Sequence, residues 1–393
     1  MRRFWIFNHY ATTPLTGPLL RHFYFAEYLK EKGIETTVFA ANELHQTGGC
    51  VDTHGKPYLR TEEEGVPFVF VKTSKYQGNG LSRVKNMISF FTGLMKISRK
   101  YAKEYGKPDV IMGSSAHPLT SIAGILIARR FHVPAIVEVR DLWPEAIFSV
   151  GKVKMNSLPG RLLSAGEKWM YVHADAIVFT KEGDVDHIKE MGWDTAHGGK
   201  IDLKKCHYVN NGVKLSDYYE SIEKNVLDDP DLTSDTFKVV YTGTVRPVNN
   251  VGNLLDTAKL LKDKKDIKFL IFGGGSELEK LEKRVHDEHI DNVIFKGFVE
   301  KKYIPYILSR SSVNVLNYSQ SNYNWSRGNS SNKLFEYMAS GKPIISTVKM
   351  GYCILDKYQC GLSLEECTAK ALAEQILKIH DMPEEAYAQM AEN

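Results

Sequence analysis

Short apolar runs alternate with amphipathic stretches along this chain, and after one polar interruption the alternation starts again. Phe4–Asn8, Ile34–Ala40, Phe68–Lys72, Val110–Gly113, Ala135–Val139 and Ala176–Phe179 read as strands, with Leu19–Lys32, Ser82–Tyr105, Pro118–Phe131 and Arg161–His173 as helices. The rhythm pauses around Val209–Val213, and the polar, acidic segment Lys214–Thr236 reads as a linker. It resumes with strands Lys238–Tyr241, Lys268–Phe272, Val293–Lys296, Ser311–Leu316 and Pro343–Ser346, and with helices Val251–Lys262, Glu277–His289 and Lys333–Ser340. Such alternation builds parallel sheets from strand–helix–strand units. The 393 residues suffice for two cores. The expected fold is α/β, with two Rossmann-like doubly wound domains, 1–214 and 215–393, facing across a cleft where ligands meet the carboxyl ends of the strands.

The most informative segment is Asn329-Ser-Ser-Asn-Lys-Leu-Phe-Glu-Tyr-Met-Ala-Ser-Gly-Lys-Pro-Ile-Ile-Ser346. Leu334, Phe335 and Met338 can share the core-facing stripe of a helix. Ser330, Ser331 and Asn332 supply N-cap chemistry and free N–H groups at its start, where an anion is favoured. Glu336, one turn inside, suits the vicinal diol of a ribose. Diphosphate at the tip and ribose further in would hold a sugar nucleotide; the same residues also suit an ordinary capped helix with a solvated Glu336.

Glycine- and histidine-bearing loops follow several strands. Gly17, in Asn8–Pro18, lets backbone approach a phosphate or sugar, but Gly-x-Gly-x-x-Gly is missing there, which counts against a dinucleotide oxidoreductase. His117, in Gly113–Pro118, can bind a sugar hydroxyl or a departing phosphate, or simply sit in a loop. Arg140 and Asp141, in Glu138–Glu145, form a structural ion pair or line a sugar pocket. In the second half Gly243, Thr244 and Arg246 lie in Tyr241–Asn250, where Arg246 can neutralise a leaving diphosphate. Gly274 recurs in Ile271–Ser276, and Asn292–Val299 can offer backbone groups to a base edge.

Several classes are excluded or disfavoured. A net charge of +4 is too mild to argue for nucleic acid. The 5 cysteines are too scattered for a disulfide framework, and Cys353, Cys360 and Cys367 are too widely spaced for zinc, so reduced thiols are expected. Asp184-Val-Asp186 and Asp229-Pro-Asp231 match a metal-binding DxD only formally and are taken as solvated acids. No Walker or Ser/His/Asp sequence is present. The apolar run at the N-terminus is too brief for a signal peptide, and no window spans a membrane. The helix Leu81–Tyr105, with Arg83, Lys85, Lys96, Arg99, Lys100 and Lys103 beside Ile88, Phe90, Phe91, Leu94 and Ile97, can lie on an anionic membrane surface or be an ordinary domain helix with a basic face.

From Phe4 to about Met382 the chain resembles retaining, nucleotide-sugar-dependent glycosyltransferases of the two-Rossmann-domain B-type fold. It looks most like the bacterial surface-polysaccharide branch, including transferases similar to those that add N-acetyl-L-fucosamine. The resemblance is carried by the Gly17 loop, Glu138–Glu145, Glu167–Val178, Asn211-Gly212-Val213, the Gly243 loop and Lys333–Pro343. It implies a UDP-sugar donor, no cofactor or metal, and a lipid-linked (undecaprenyl diphosphate) saccharide acceptor in capsule or O-antigen synthesis at the cytoplasmic face of the inner membrane. Glu336 would bind ribose, Asn329–Asn332 the diphosphate and sugar, and Gly243, Thr244, Gly274 and Val299 the rest of the nucleotide; Arg246, Lys333, Arg140, Asp141 and His117 would serve the chemistry. Three positions depart from the family pattern. Asn329 stands where the first acid of the motif is usual, Thr244 and Asn249 where a basic pair is usual, and Arg140 where a histidine is common. The sequence also stops where relatives run on into a last helix crossing back to the first domain, which implies a truncated C-terminus. A UDP-GlcNAc 2-epimerase of the same shape, or a sugar-binding membrane-surface protein without catalysis, remain alternatives.

Overall fold

The computed structural model describes residues 2–45, 48–78, 80–115, 117–149, 153–320 and 325–393. Contacts divide the chain into two compact units, Met1–Asn210 and Asn211–Asn393. The first is built on an eight-stranded sheet of order β3-β4-β2-β1-β5-β6-β7-β8. Its strands are β1 (Arg2–Phe7), β2 (Ile34–Ala41), β3 (Tyr58–Glu63), β4 (Val66–Val71), β5 (Val110–Ser114), β6 (Ala135–Val139), β7 (Ala176–Phe179) and β8 (Cys206–Tyr208). The second carries a six-stranded sheet of order β11-β10-β9-β12-β13-β14, from β9 (Phe237–Thr242), β10 (Ile267–Phe272), β11 (Val293–Gly297), β12 (Val313–Leu316), β13 (Ile344–Ser346) and β14 (Gly361–Ser363). All pairings are parallel except β3 with β4.

Parallel sheets are covered on both faces, which is why their strands read as continuous apolar runs. In β1 alternate residues go to opposite cores. Trp5 and Phe7 join Phe39, Phe90 and Tyr101 under the helix Leu81–Tyr105, with Trp5 edge-on to Tyr101 at 5.4 Å. Phe4 and Ile6 join Phe23 of the helix Arg21–Glu31. In each sheet the strand order reverses beside the first strand, between β1 and β5 and between β9 and β12. Such switch points open a crevice outside the strand ends.

Several segments differ from the sequence reading, which also left out β8, β14 and the helices Ile304–Ser309 and Ala369–His380. Tyr58–Glu63, expected as loop, is a strand of a tight hairpin, turned by Glu64 and Gly65 at φ of 51° and 73°. The expected linker holds the helix Leu215–Lys224 and the short helix Pro230–Thr233, which bury Tyr218 and Leu232. Nor are the formal DxD acids solvated. Asp229 and Asp231 each accept from Lys296 Nζ at 2.7 Å, Asp184 is buried with Lys181 Nζ at 3.6 Å, and Asp186 accepts from Lys189. No described helix is long and apolar enough to cross a membrane.

Candidate functional site

In the second unit the switch point lies where β9 ends at Thr242 and β12 at Leu316. The helix Asn332–Ala339 is fixed there by its buried face, Leu334 and Tyr337. The Tyr337 hydroxyl accepts from Thr242 N at 2.9 Å and donates to Thr242 O at 3.3 Å, so the helix is bonded to the last residue of β9. Phe335 and Met338, expected in the main stripe, are only half-buried, and Tyr337 takes that place.

This docking aims Lys333 at the loop after β9. Its Nζ is 3.3 Å from the Tyr241 hydroxyl, 4.4 Å from the Tyr241 ring centroid and 5.1 Å from that of Tyr318. Burial, and then the charge of Arg246, pushes Lys333 down to about 7, with Glu336 pulling the other way. Gly243 holds φ of +144°, and a Cβ there would come within 2.6 Å of Lys333 Nζ, so the backbone passes close to the amine only as glycine. Behind it the next glycine loop is in contact, because a Cβ on Gly273 would strike the Gly243 carbonyl.

Around the helix start, Asn329 is buried and its Oδ1 accepts from Ser331 N at 2.7 Å. Ser331 is the N-cap residue, yet its side chain does not cap the helix, and its buried hydroxyl has no partner among the described residues. The expected serine capping is thus corrected: the Asn329 amide takes the local N–H, and the Ser331 hydroxyl is left over. Ser330 gives its carbonyl to Asn211 Nδ2, and Asn332 is exposed. Glu336 faces Lys301 Nζ at 3.4 Å and is not simply solvated. Tyr218, missed in the sequence, is buried with a hydroxyl that has no partner among the described residues, and burial and then the Glu336 charge push its phenol upward.

Thr244 and Arg246 are exposed, and the Thr244 carbonyl accepts from the Tyr241 hydroxyl at 3.0 Å. Asn249 is buried, donates to the same carbonyl, and gives its own carbonyl to Asn317 at 2.7 Å, which makes it a lock on the loop. Gly274 accepts from Val245 N at 2.9 Å. Val299 is half-buried, while its neighbour Phe298 is 79% exposed, a bare aromatic face beside the same strand ends that the sequence reading did not single out.

The remaining candidates lie in the first unit and are not brought into this cluster. Gly17 closes the loop after β1, its N–H bonded to Thr13 O at 3.0 Å. His117 is buried against His9 at 2.8 Å. Arg140 is half-buried and Asp141 exposed, and the ion pair of this segment is instead Arg21 with Glu138, at 2.9 Å. Glu138 also accepts from His22 at 2.8 Å and Ser114 at 2.6 Å. Burial works to raise Glu138, but its partners outweigh it and hold the carboxyl well below the usual range. Burial also pushes His22 down, against the pull of the Glu138 charge, and Arg21 places a guanidinium on the same carboxylate.

The sequence matches two family profiles: the glycosyl transferase 4-like domain over residues 21–197, and glycosyl transferases group 1 over residues 224–393. No curated protein matches it in sequence. Among solved structures it is similar to the sucrose-phosphate synthase of Thermosynechococcus elongatus, at 14% identity and a TM-score of 0.64, covering 100% of this chain and 92% of that one. Anabaena HepE in complex with UDP matches at 13% identity and 0.64, covering 100% and 93%. WaaG, a glycosyltransferase involved in lipopolysaccharide biosynthesis, matches at 11% and 0.60, covering 99% and 93%. With one glycosyl transferase domain in each unit, the chain is a glycosyltransferase of the B-type, two-Rossmann-domain fold.

Proposed function

We propose that this glycosyltransferase moves a sugar, an N-acetylated deoxy-aminosugar among the candidates, from a UDP-sugar to a lipid-linked or saccharide acceptor in bacterial surface-polysaccharide synthesis, with retention at the anomeric carbon. The observation that carries the donor half is Lys333: an amine enclosed by two tyrosine rings, directly beneath the Gly243 backbone, on the helix that also bears Glu336. A diphosphate there meets Lys333, the exposed Arg246, the Ser331 hydroxyl and the helix tip. Glu336 takes the ribose hydroxyls after releasing Lys301, and Gly274, Phe298 and Val299 adjoin the base. That HepE was solved with UDP, and that WaaG serves lipopolysaccharide synthesis, supports the donor class and the pathway.

With no carboxylate in this cluster placed as nucleophile, a front-face course fits. The acceptor oxygen bonds to the anomeric carbon as the bond to the diphosphate oxygen breaks, and a phosphate oxygen takes the acceptor's proton. The protein contributes positioning and charge, with no metal required. His117 is assigned to a hydroxyl of the donor's sugar, and Arg140 and Asp141 to the lining of that sugar's pocket. The membrane half of the reading rests on the helix Leu81–Tyr105, where Leu81 is 88% exposed and Val84 and Ile88 lie along the same face beside Arg83 and Lys85. On this reading the protein works in the cytoplasm, at the inner face of the membrane.

A thermal-shift panel of UDP-, GDP- and dTDP-sugars tests the donor. A UDP-sugar at a hundred times its Kd stabilises the fold by about 2.7 kcal/mol and should raise Tm, while preference for GDP- or dTDP-sugars overturns the assignment. Product analysis without acceptor then separates transfer from epimerisation, since a 2-epimer made from UDP-GlcNAc alone favours the epimerase.

A further inference from the structure

The first unit has its own switch point, between β1 and β5, and a second polar cluster is built there. His9 follows β1, and His117 precedes the helix Pro118–Phe131 after β5; both are buried. His9 Nε2 is 2.6 Å from Asn86 Oδ1, and His9 Nδ1 is 2.8 Å from His117 Nε2. The far end of this chain fixes its direction. Asn86 Nδ2 donates to the Ser74 carbonyl at 2.5 Å and to Thr73 Oγ1 at 3.0 Å, and that hydroxyl donates to Asn42 Oδ1 at 3.1 Å. A carbonyl only accepts, so the amide nitrogen of Asn86 faces Ser74 and its oxygen accepts from His9. Burial holds His9 well below its ordinary range, and burial with the charge of Arg83 pushes His117 down to about 3, so both rings are neutral. A neutral ring carries one N–H. His9 has its hydrogen on Nε2, its Nδ1 accepts from His117 Nε2–H, and His117 Nδ1 is left as a bare lone pair. That atom is buried and has no hydrogen-bond partner among the described residues.

We propose that Asn86 and His9 are positioning residues that hold His117 in its Nε2–H tautomer, so that Nδ1 accepts a hydrogen bond from a hydroxyl of a sugar bound at the carboxyl edge of this sheet. The ligand class rests on the glycosyltransferase reading; the tautomer rests on this unit alone. The surroundings suit a sugar: the Tyr10 and His45 rings stack at 4.6 Å, and Arg83 Nε donates to the Tyr10 hydroxyl at 3.0 Å. Because Nδ1 is covered, the sugar hydroxyl enters as a neighbouring side chain moves.

Nitrogen-15 spectra of histidine-labelled protein, assigned with a His117→Gln variant, read the tautomer directly. Wild type should show His117 with Nδ1 bare and Nε2 protonated. Asn86→Asp, whose carboxylate still accepts from His9, should keep that form. Asn86→Leu should give a mixture of tautomers and raise the KM of the sugar substrate roughly 3- to 10-fold, the effect of one neutral hydrogen bond. A protonated Nδ1 in wild type, an unchanged tautomer in Asn86→Leu, or a changed tautomer with unchanged KM would each overturn the proposal. Should the leucine variant not fold, wild type saturated with UDP-glucose or UDP-N-acetylglucosamine decides: the Nδ1 signal shifts as it gains a partner, and a signal that stays put in the saturated enzyme refutes the contact. Failure of every UDP-sugar to bind counts against the donor assignment instead, while the ligand-free spectra still test Asn86 and His9.

Discussion

A neutral lysine cannot neutralise a diphosphate, and the Lys333 amine, pushed down to about 7 by burial and Arg246, is close to half neutral at pH 7. Binding UDP beside it must therefore draw in a proton. With the free amine at about 7 and the bound amine higher, the amine is about half protonated at pH 7 and about 1% at pH 9; each pH unit well above 7 costs about 1.4 kcal/mol, a tenfold rise in Kd, and pH 9 should bind UDP about fiftyfold more weakly than pH 7. The nucleotide does not mimic this trend. Its terminal phosphate ionises near pH 6, so it is fully charged across the window and its own titration would improve binding as pH rises toward 7. Nor do the groups facing the amine. The phenols of Tyr241 and Tyr337 are pushed far upward by burial, and Glu336 acts to favour the protonated amine. Titration calorimetry at pH 7, 8 and 9, in buffers of different ionisation heat, should count about half a proton taken up at pH 7 and nearly one at pH 8. Lys333→Met should bind more weakly at pH 7 and lose the slope. The same shift acts on folding: the folded amine binds its proton less tightly than the unfolded one, so stability should rise between about pH 7 and 10 in wild type and not in Lys333→Met. A flat Kd from pH 7 to 9, or a methionine variant with the wild-type slope, refutes Lys333 as the diphosphate cation.

Glu336→Ala should raise the KM of the UDP-sugar by about 5- to 150-fold, equivalent to about 1–3 kcal/mol of lost hydrogen bonding, and unaltered donor kinetics would remove Glu336 from the ribose. Arg21→Met strips the cation from buried Glu138 and should cost about 3–5 kcal/mol in a urea titration; a loss below about 1 kcal/mol would mean that Ser114 and His22 suffice. The Glu138 carboxyl lies below its ordinary value of 4.5, so its share of stability is complete above that pH and disappears as pH falls through the folded value, a dependence that Glu138→Gln should abolish. Co-sedimentation with anionic liposomes should fade with added salt and drop about tenfold in a Leu81→Ser, Ile88→Ser variant, whereas binding indifferent to lipid charge would end the membrane reading.

What could be read from the sequence follows from how far apart the interacting residues lie. Strands buried on both faces announce themselves as apolar runs, so the inner strands of both sheets and the helix bearing Lys333 and Glu336 were legible, while the short edge strands β8 and β14 were not. Tyr58–Glu63 was not, because as the outermost strand it has no fully buried residue, and Leu215–Lys224 was not, because Tyr218 is its single buried side chain. At the sites the limit is sharper. Glu138 stood out as a charge at a strand end, but its counter-ion is Arg21, 117 positions earlier, and nothing local separates that pairing from one with Arg140. Lys333 was visible as a cation at a helix start, but its altered basicity comes from burial beside Tyr241 and Tyr318 and from the charge of Arg246, all outside its own helix. The same holds for His117, an unremarkable loop histidine until His9, from 108 positions away, and Asn86 leave one ring nitrogen without a hydrogen. Both reactive nitrogens, Lys333 Nζ and His117 Nδ1, thus owe their chemistry to strands that meet only at a switch point. Sequence periodicity can locate such a crevice, but the protonation state of what faces it is decided by contacts across the sheet.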